Sequence, residues 1–229
     1  MQINVTKQAD KFTSGYSNCM AVVAASEFNE QLFLLMHEAG TFSKIIAADA
    51  GFTHLKNCGI CPDFAIGDFD GMGSSPQNTK TSVQVFPKDK DWTDLELAVN
   101  NALECGAQRL YVFGALGGKR LDMTLSTMQI MTRVAQQGLV VTAIGTNQSC
   151  TTICGPADVE FLNITELDKS KPISIVAQSD AASGLNSAGF KWNYSNSTLS
   201  NCQTLGVSNE LVSDTVSLSV GLGCISIIF

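Results

Sequence analysis

The stretch PDFAIGDFDG, residues 62–71, sets a short apolar run, Phe64 to Ile66, directly against two carboxylates, Asp68 and Asp70. The run predicts a buried strand, and Gly67 marks its end. Side chains two residues apart on a strand share a face, so Asp68 and Asp70 are expected to converge where the strand stops. In open α/β sheets, ligands bind beyond the carboxyl ends of the strands. Two ionised carboxylates held close together repel each other, and an apolar flank makes the repulsion worse. A hard cation such as Mg²⁺, with its preference for oxygen ligands, would relieve it. A polar turn capped by Asp68 accounts for the same residues without a metal.

Outward from this stretch, residues 20–145 alternate between apolar strands and helical spacings. Strands are predicted at 20–25, 44–50, 63–68, 82–86, 109–115 and 139–145. Helices are predicted at 28–39, 53–58, 94–106 and 121–138, the last two stopped by Gly106 and Gly138. This alternation implies a mainly parallel sheet covered on both faces. After about residue 146 the pattern changes. VEFLNI, PISIVAQS, GFKWNYS, TLGVSN, TVSLSVG and CISIIF are short, rich in Val, Ile, Ser and Thr, and separated by turn residues. They read as strands of an all-β sandwich with no convincing helix. The expected organisation is an α/β N-terminal domain over 1–146 and a C-terminal β-sandwich domain over 147–229.

Two further clusters fall where that fold would put a site. In KDKDWTDLE, residues 88–96, Asp89, Asp91 and Asp94 crowd beside Lys88 and Lys90 at a predicted helix start. Asp91 and Asp94 resemble a capping arrangement, with Thr93 in the first turn, and acids there also favour the helix dipole. Alternating charge equally suits a site that holds metal and phosphate together. In FGALGGKRLDMTL, residues 113–125, a strand runs into Gly114, Gly117 and Gly118, and then Lys119, Arg120 and Asp122 open a helix. Glycines admit a ligand close to the backbone, helix N–H groups suit phosphate, and an arginine can fork two phosphate oxygens. The spacing fits neither a Walker loop nor a dinucleotide fingerprint. Three such clusters at three candidate strand ends point jointly to metal-assisted phosphoryl transfer.

The composition bounds the alternatives. The chain has 229 residues, 45% of them hydrophobic, and a formal net charge of −7. That charge argues against a nucleic-acid partner, and no apolar run is long enough to span a bilayer. The polar N-terminal stretch lacks the apolar segment of a signal peptide, so the protein is read as cytoplasmic. Eight cysteines are scattered along it. Cys58-x-x-Cys61 has redox or metal-ligand spacing, and Cys150 with Cys154 could add ligands, but incidental thiols explain them more simply. His37 and His54 read as structural or surface residues.

The runs AADAGFTHL, PDFAIGDFDG, KDKDWTDLELAV, FGALGGKRLDMTL and, downstream, GFKWNYSNSTL with GVSNE resemble, in this order, the thiamine pyrophosphokinases. The resemblance implies a homodimer whose active site lies at the subunit interface. The implied reaction moves a pyrophosphoryl group from ATP to the hydroxyl of thiamine, with Mg²⁺ as cofactor. It implies Asp68, Asp70, Asp91, Asp94 and Asp122 around the metal, with Asp70, Asp94 and Arg120 as the catalytic set. It implies ATP contacts from Asp49, Gly51, Lys88, Thr93, Gly114, Gly117, Gly118, Lys119 and Arg120. Thiamine contacts are implied at Trp192, Ser208 and Asn209. Two departures stand out: Asp49-Ala50-Gly51-Phe52-Thr53 replaces a more glycine-rich run, and Met123 stands where a histidine is common. A related phosphotransferase acting on another alcohol, or a binding module for nucleotide and thiamine, are the alternative readings.

Overall fold

The computed structural model describes residues 1–7, 18–70 and 80–229. Gly71, which closes the opening stretch, lies outside them. The chain falls into two compact units. One contains the strands and helices from residue 18 to Met131 together with Val141–Ser149. The other contains the first strand, Thr132–Val140 and Cys150–Phe229.

β1 covers Gln2–Lys7, β2 Cys19–Val23, β3 Lys44–Ala48, β4 Phe64–Gly67, β5 Ser82–Val85, β6 Arg109–Phe113 and β7 Val140–Ile144. Strands β2 to β7 follow the order β7-β6-β2-β3-β4-β5. From β6 through β5 every pairing is parallel. The helices are α1, Glu30–Glu38; α2, Gly51–Asn57; α3, Asp94–Glu104; and α4, Leu121–Gln136. The inner strands are largely apolar because neither face meets water: β2 and β3 are buried from their second residue onward, whereas the edge strand β5 has no buried residue. Phe33 of α1 meets Phe113 of β6 edge-on, ring centroids 5.1 Å apart, in a core shared with Leu55 and Phe69.

Thr93 caps α3, its Oγ1 accepting the N–H of Glu96 at 3.2 Å. The expected cap at Asp91 is therefore corrected: the hydroxyl one residue before the helix takes the role.

In the other unit, β8 is Ser149–Cys154, β9 Ala157–Leu162, β10 Ser174–Ala177, β11 Ala181–Ala188, β12 Ser197–Ser200, β13 Val216–Val220 and β14 Cys224–Ile228. Five strands run β1-β9-β13-β11-β12, with antiparallel pairings, and β10-β14-β8 is a second antiparallel run. Phe161 of β9 packs edge-on against Phe190.

Several expectations are corrected here. The expected boundary grouped residues 2–7 with the α/β half, yet β1 pairs with β9 along its whole length. Its alternation is the reason: Ile3 and Val5 point into a core while their neighbours are polar. GFKWNYS and TLGVSN are not strands; Phe190 and Asn209 make isolated bridges to Leu211 and Ile173. β8, β11 and β12, rich in Thr, Ser, Ala and Gly, carry strands that hydrophobicity did not announce. A one-turn helix, α5, Glu166–Lys169, also forms behind a Thr165–Asp168 capping box. Two of the eight cysteines are not free thiols: Cys154 and Cys224, opposite each other on β8 and β14, form a disulfide. Among the described residues, no helix is long and apolar enough to cross a membrane.

Candidate functional site

The carboxyl ends of β3 and β4 and the start of α3 bring three acids together. One carboxylate oxygen each from Asp49, Asp68 and Asp94 lies within 4.8 Å of the other two. Backbone geometry makes this possible. Asp49 follows β3 in the left-handed region, φ +47°, a conformation rare outside glycine and common where a chain end aims a side chain at a site. Its neighbour across the sheet must be small. A Cβ on Gly67 would lie 3.0 Å from the Cα of Asp49, and Gly67 itself sits at φ +157°.

Asp68 and Asp70 do not share a strand face. β4 ends at Gly67, and Phe69 turns into the left-handed region, φ +56°, driving its ring into the core at 2% exposure. The alternation that would have paired the two acids is broken between them. Asp68 turns inward, its Oδ1 accepting the N–H of Asp70 at 3.1 Å in an Asx-type turn. Asp70 remains exposed and pairs with Lys88 at 2.7 Å.

The inner acids are short of donors. Asp49 Oδ1 is buried with no hydrogen-bond partner. Burial pushes the Asp94 carboxyl above the usual carboxylate range; the Lys90 ammonium pulls it back, while Asp68 and Asp49 push it up again. Lys90 is the cation within the cluster. Its Nζ lies 3.1 Å from Asp94 Oδ1 and 3.4 Å from Asp68 Oδ2, and donates to the Pro87 carbonyl at 3.0 Å. Burial works against its charge, but the bonds and charges of Asp94 and Asp68 hold its pKa above the ordinary lysine value.

The expected five-acid ring is thus redistributed. Asp68 and Asp94 are joined by Asp49, which was expected on the nucleotide, whereas Asp70, Asp91 and Asp122 are exposed and outside the inner group. Asp122 is forked by Arg120 through Nε and Nη2, and that pairing draws its carboxyl below the usual range. Thr93 is occupied as the α3 cap, and Gly51 is buried in the first turn of α2. Lys88, Lys119 and Arg120 are exposed.

Gly114 carries the glycine turn past the β2 end. It adopts φ +66°, and a Cβ there would strike the Ala24 carbonyl. Residues not assigned to the site secure this turn. Ser26 donates its N–H to the Gly114 carbonyl at 2.8 Å and its hydroxyl to the Gly117 carbonyl at 3.3 Å. Thr124 and Thr127 donate their hydroxyls to the carbonyls of Gly117 and Ala115 at 3.3 and 3.0 Å. His54 stacks on Phe28 and places Nε2 3.1 Å from the Ser26 carbonyl, a positioning contact for the same loop. Ser26 lies just after the end of β2, whereas His54, Thr124 and Thr127 lie within α2 and α4.

In the β-rich unit, Trp192 is 56% exposed, with Lys191 Nζ 4.7 Å from its ring centroid. Asn209 is buried: its Oδ1 accepts the N–H of Trp192 and its Nδ2 donates to the Trp192 carbonyl at 2.8 Å. Asn209 therefore pins the tryptophan backbone. Ser208, at φ +59°, is exposed beside it.

Comparison with known proteins adds to this geometry. Residues 35–143 match the family described as thiamin pyrophosphokinase, catalytic domain, and residues 162–225 match thiamin pyrophosphokinase, vitamin B1 binding domain. The chain is 29% identical over 188 residues to a protein named thiamine pyrophosphokinase from Bacillus subtilis, covering 80% of this chain and 85% of that one. Its fold is similar to the crystal structure of thiamine pyrophosphokinase from Bacillus subtilis, with TM-score 0.76 and 24% identity, over 92% of this chain and 98% of that one. It is also similar to thiamin pyrophosphokinase from Candida albicans, with TM-score 0.73 and 15% identity, over 100% and 98% of the two chains. At these identities the two structures speak to the fold alone.

Proposed function

This chain belongs to the thiamin pyrophosphokinase family, and from that premise we propose that its inner acids form the metal centre of a thiamine diphosphokinase. The reaction is attack of the thiamine hydroxyl oxygen on the β-phosphorus of ATP. The bond from that phosphorus to the AMP oxygen breaks, the hydroxyl proton is lost, and thiamine diphosphate and AMP result. The observation that carries the reading is the convergence of Asp49, Asp68 and Asp94 around a buried oxygen with no donor.

These donors fit Mg²⁺: all are hard carboxylate oxygens, and magnesium shares such ligands with water and substrate phosphate. When bound there, the ion would neutralise phosphate charge and polarise the phosphorus under attack. Asp49, Asp68 and Asp94 would hold it. Asp70, Asp91 and Asp122 are proposed to meet the metal–nucleotide complex from the exposed side. Arg120, Lys119 and Lys88 would supply charge to the phosphoryl oxygens, and the turn at Gly114, Gly117 and Gly118 would let the nucleotide approach the backbone.

Thiamine is an aromatic cation, and the exposed face of Trp192 suits it through cation–π contact, worth about 0.5–2 kcal/mol. Lys191 covers that ring and would have to give way. We further propose a homodimer in which this wall serves the acid centre of the partner copy. The exposed apolar side chains Leu205, Val207 and Val212 on the same unit support a protein-covered surface.

The test is incubation with ATP, Mg²⁺ and thiamine, with product identification. Equimolar AMP and thiamine diphosphate are expected. ADP with a monophosphate ester would make the protein a different phosphotransferase. Binding of both ligands with no conversion would make it a binding module.

A further inference from the structure

The acid cluster contains a lysine that the site motifs did not assign. Lys90 Nζ meets three oxygens: it donates to Asp68 Oδ2 at 3.4 Å and to the Pro87 carbonyl at 3.0 Å, and forms an ion pair with Asp94 Oδ1 at 3.1 Å. The side chain is only 12% exposed. By contrast, the Lys88 side chain is 77% exposed and pairs with an acid outside the inner group. Lys90 is therefore built into the cluster.

We propose that Lys90 is a positioning residue that biases the centre away from the free divalent cation and toward the cation already carrying a triphosphate. This rests on the reading of Asp49, Asp68 and Asp94 as the metal centre. Three carboxylates with no cation among them would bind a bare divalent ion and repel a polyphosphate. One ammonium in their midst acts against both tendencies. It repels the free ion at short range in a partly buried setting, where charges are poorly screened, and it offsets the repulsion that three carboxylates exert on phosphate oxygens. A centre biased in this way takes up its metal with the nucleotide and does not hold the bare ion between turnovers.

The two effects have opposite signs, which separates them from a structural role. Mn²⁺ is the probe, followed by electron paramagnetic resonance, first alone and then with a non-hydrolysable ATP analogue. Relative to the unaltered protein, Lys90→Met is expected to bind free Mn²⁺ about tenfold more tightly and the Mn²⁺–nucleotide complex about tenfold more weakly. Lys90→Arg, which keeps the charge, is expected to stay close to the parent in both. If Lys90→Met does not fold, Lys90→Gln replaces it in the same comparison. A fall in both affinities, or no change in free Mn²⁺ binding, overturns the proposal. Asp94→Asn is the control for the underlying reading. If that variant binds Mn²⁺ as tightly as the parent, the metal centre itself is misplaced; if it binds more weakly while Lys90→Met shows no gain, only the role of Lys90 fails.

Discussion

Acids in this protein live in two kinds of surroundings. Asp49, Asp68 and Asp94 sit together at the ends of two strands and the start of a helix, with one ammonium paired to Asp68 and Asp94 and with Asp49 Oδ1 buried without a donor. Asp70 and Asp122 sit in water, each with a basic partner of its own, Lys88 and Arg120. The inner group is unfavourable unless something positive arrives, whereas the outer pairs are already satisfied. Exposed pairs of that sort contribute little to stability. The first arrangement is the one on which the proposed metal centre rests, and the second does not argue for it.

The largest expected effect tests the inner group. Asp94→Asn should lower turnover by on the order of 10³-fold, the scale of losing a preorganised electrostatic element. Because burial already disfavours the ionised form of Asp94, the same change should leave the melting temperature of the metal-free protein unchanged or higher. A variant that melts lower yet turns over normally would make Asp94 a structural acid. Asp70→Asn sharpens the contrast. It is also expected to abolish turnover, through the metal–nucleotide complex, with no change in melting because its partner Lys88 is solvated. Near-parental rates in Asp70→Asn would confine the chemistry to the inner three.

Next in size is Arg120→Ala. The guanidinium is exposed and held by Asp122, so its removal should raise KM for ATP by about tenfold through loss of a forked phosphate contact, while the melting temperature stays put. Steady-state kinetics at varied ATP settles it. An unchanged KM would mean that the Arg120–Asp122 pair satisfies only itself.

The contrast also explains what the sequence disclosed. Alternating strands and helices over residues 20–145 were readable because buried parallel strands are continuously apolar and their helices stop at glycines. The three clusters were readable because each follows such a strand or opens a helix. The full membership of the inner group was not: Asp68 and Asp94 were among the expected metal acids, but Asp49 was expected on the nucleotide. Period-two alternation placed Asp68 and Asp70 on one face, but that rule holds only while the strand continues, and the left-handed turn at Phe69 ends it. Asp49 looked like part of a nucleotide loop because nothing local signals that Gly67 leaves room beside it. In the second half, β11 escaped notice since a strand built from Ala, Ser, Gly and Asn draws its stability from the ladder and from Leu185, with little hydrophobic pattern. Trp192 and Ser208 stood out by motif, yet the role of Asn209 in pinning Trp192 is a long-range hydrogen-bond pattern that spacing cannot show.

Thr93 stands between the two kinds of group, since it was expected on ATP and is occupied in capping α3. Thr93→Ala should cost about 1 kcal/mol of stability, and Thr93→Ser should restore it. If stability is unaffected while KM for ATP rises, the hydroxyl belongs to the nucleotide and not to the helix.

The smallest effect comes from an acid whose partners are entirely structural. Asp168 Oδ2 accepts from the Thr165 N–H at 2.9 Å and from the Thr165 hydroxyl at 2.6 Å, completing the α5 capping box. Burial pushes this carboxyl up, but the Thr165 bonds and the N-terminal ammonium outweigh it, and the net shift is downward. A carboxyl with a depressed folded-state pKa adds stability that is present above its unfolded value and disappears as pH falls through the folded one. Asp168→Asn should therefore melt lower than the parent at neutral pH, by an amount equivalent to about 1 kcal/mol or less, and the gap should close in acid below the ordinary carboxylate range. Melting curves of both proteins across that range test the sign. A gap that stays constant into acid would show that the carboxylate charge at residue 168 contributes nothing. Asp168 would then be a neutral cap, and charge would separate the inner acids from the rest more sharply than the present contrast requires.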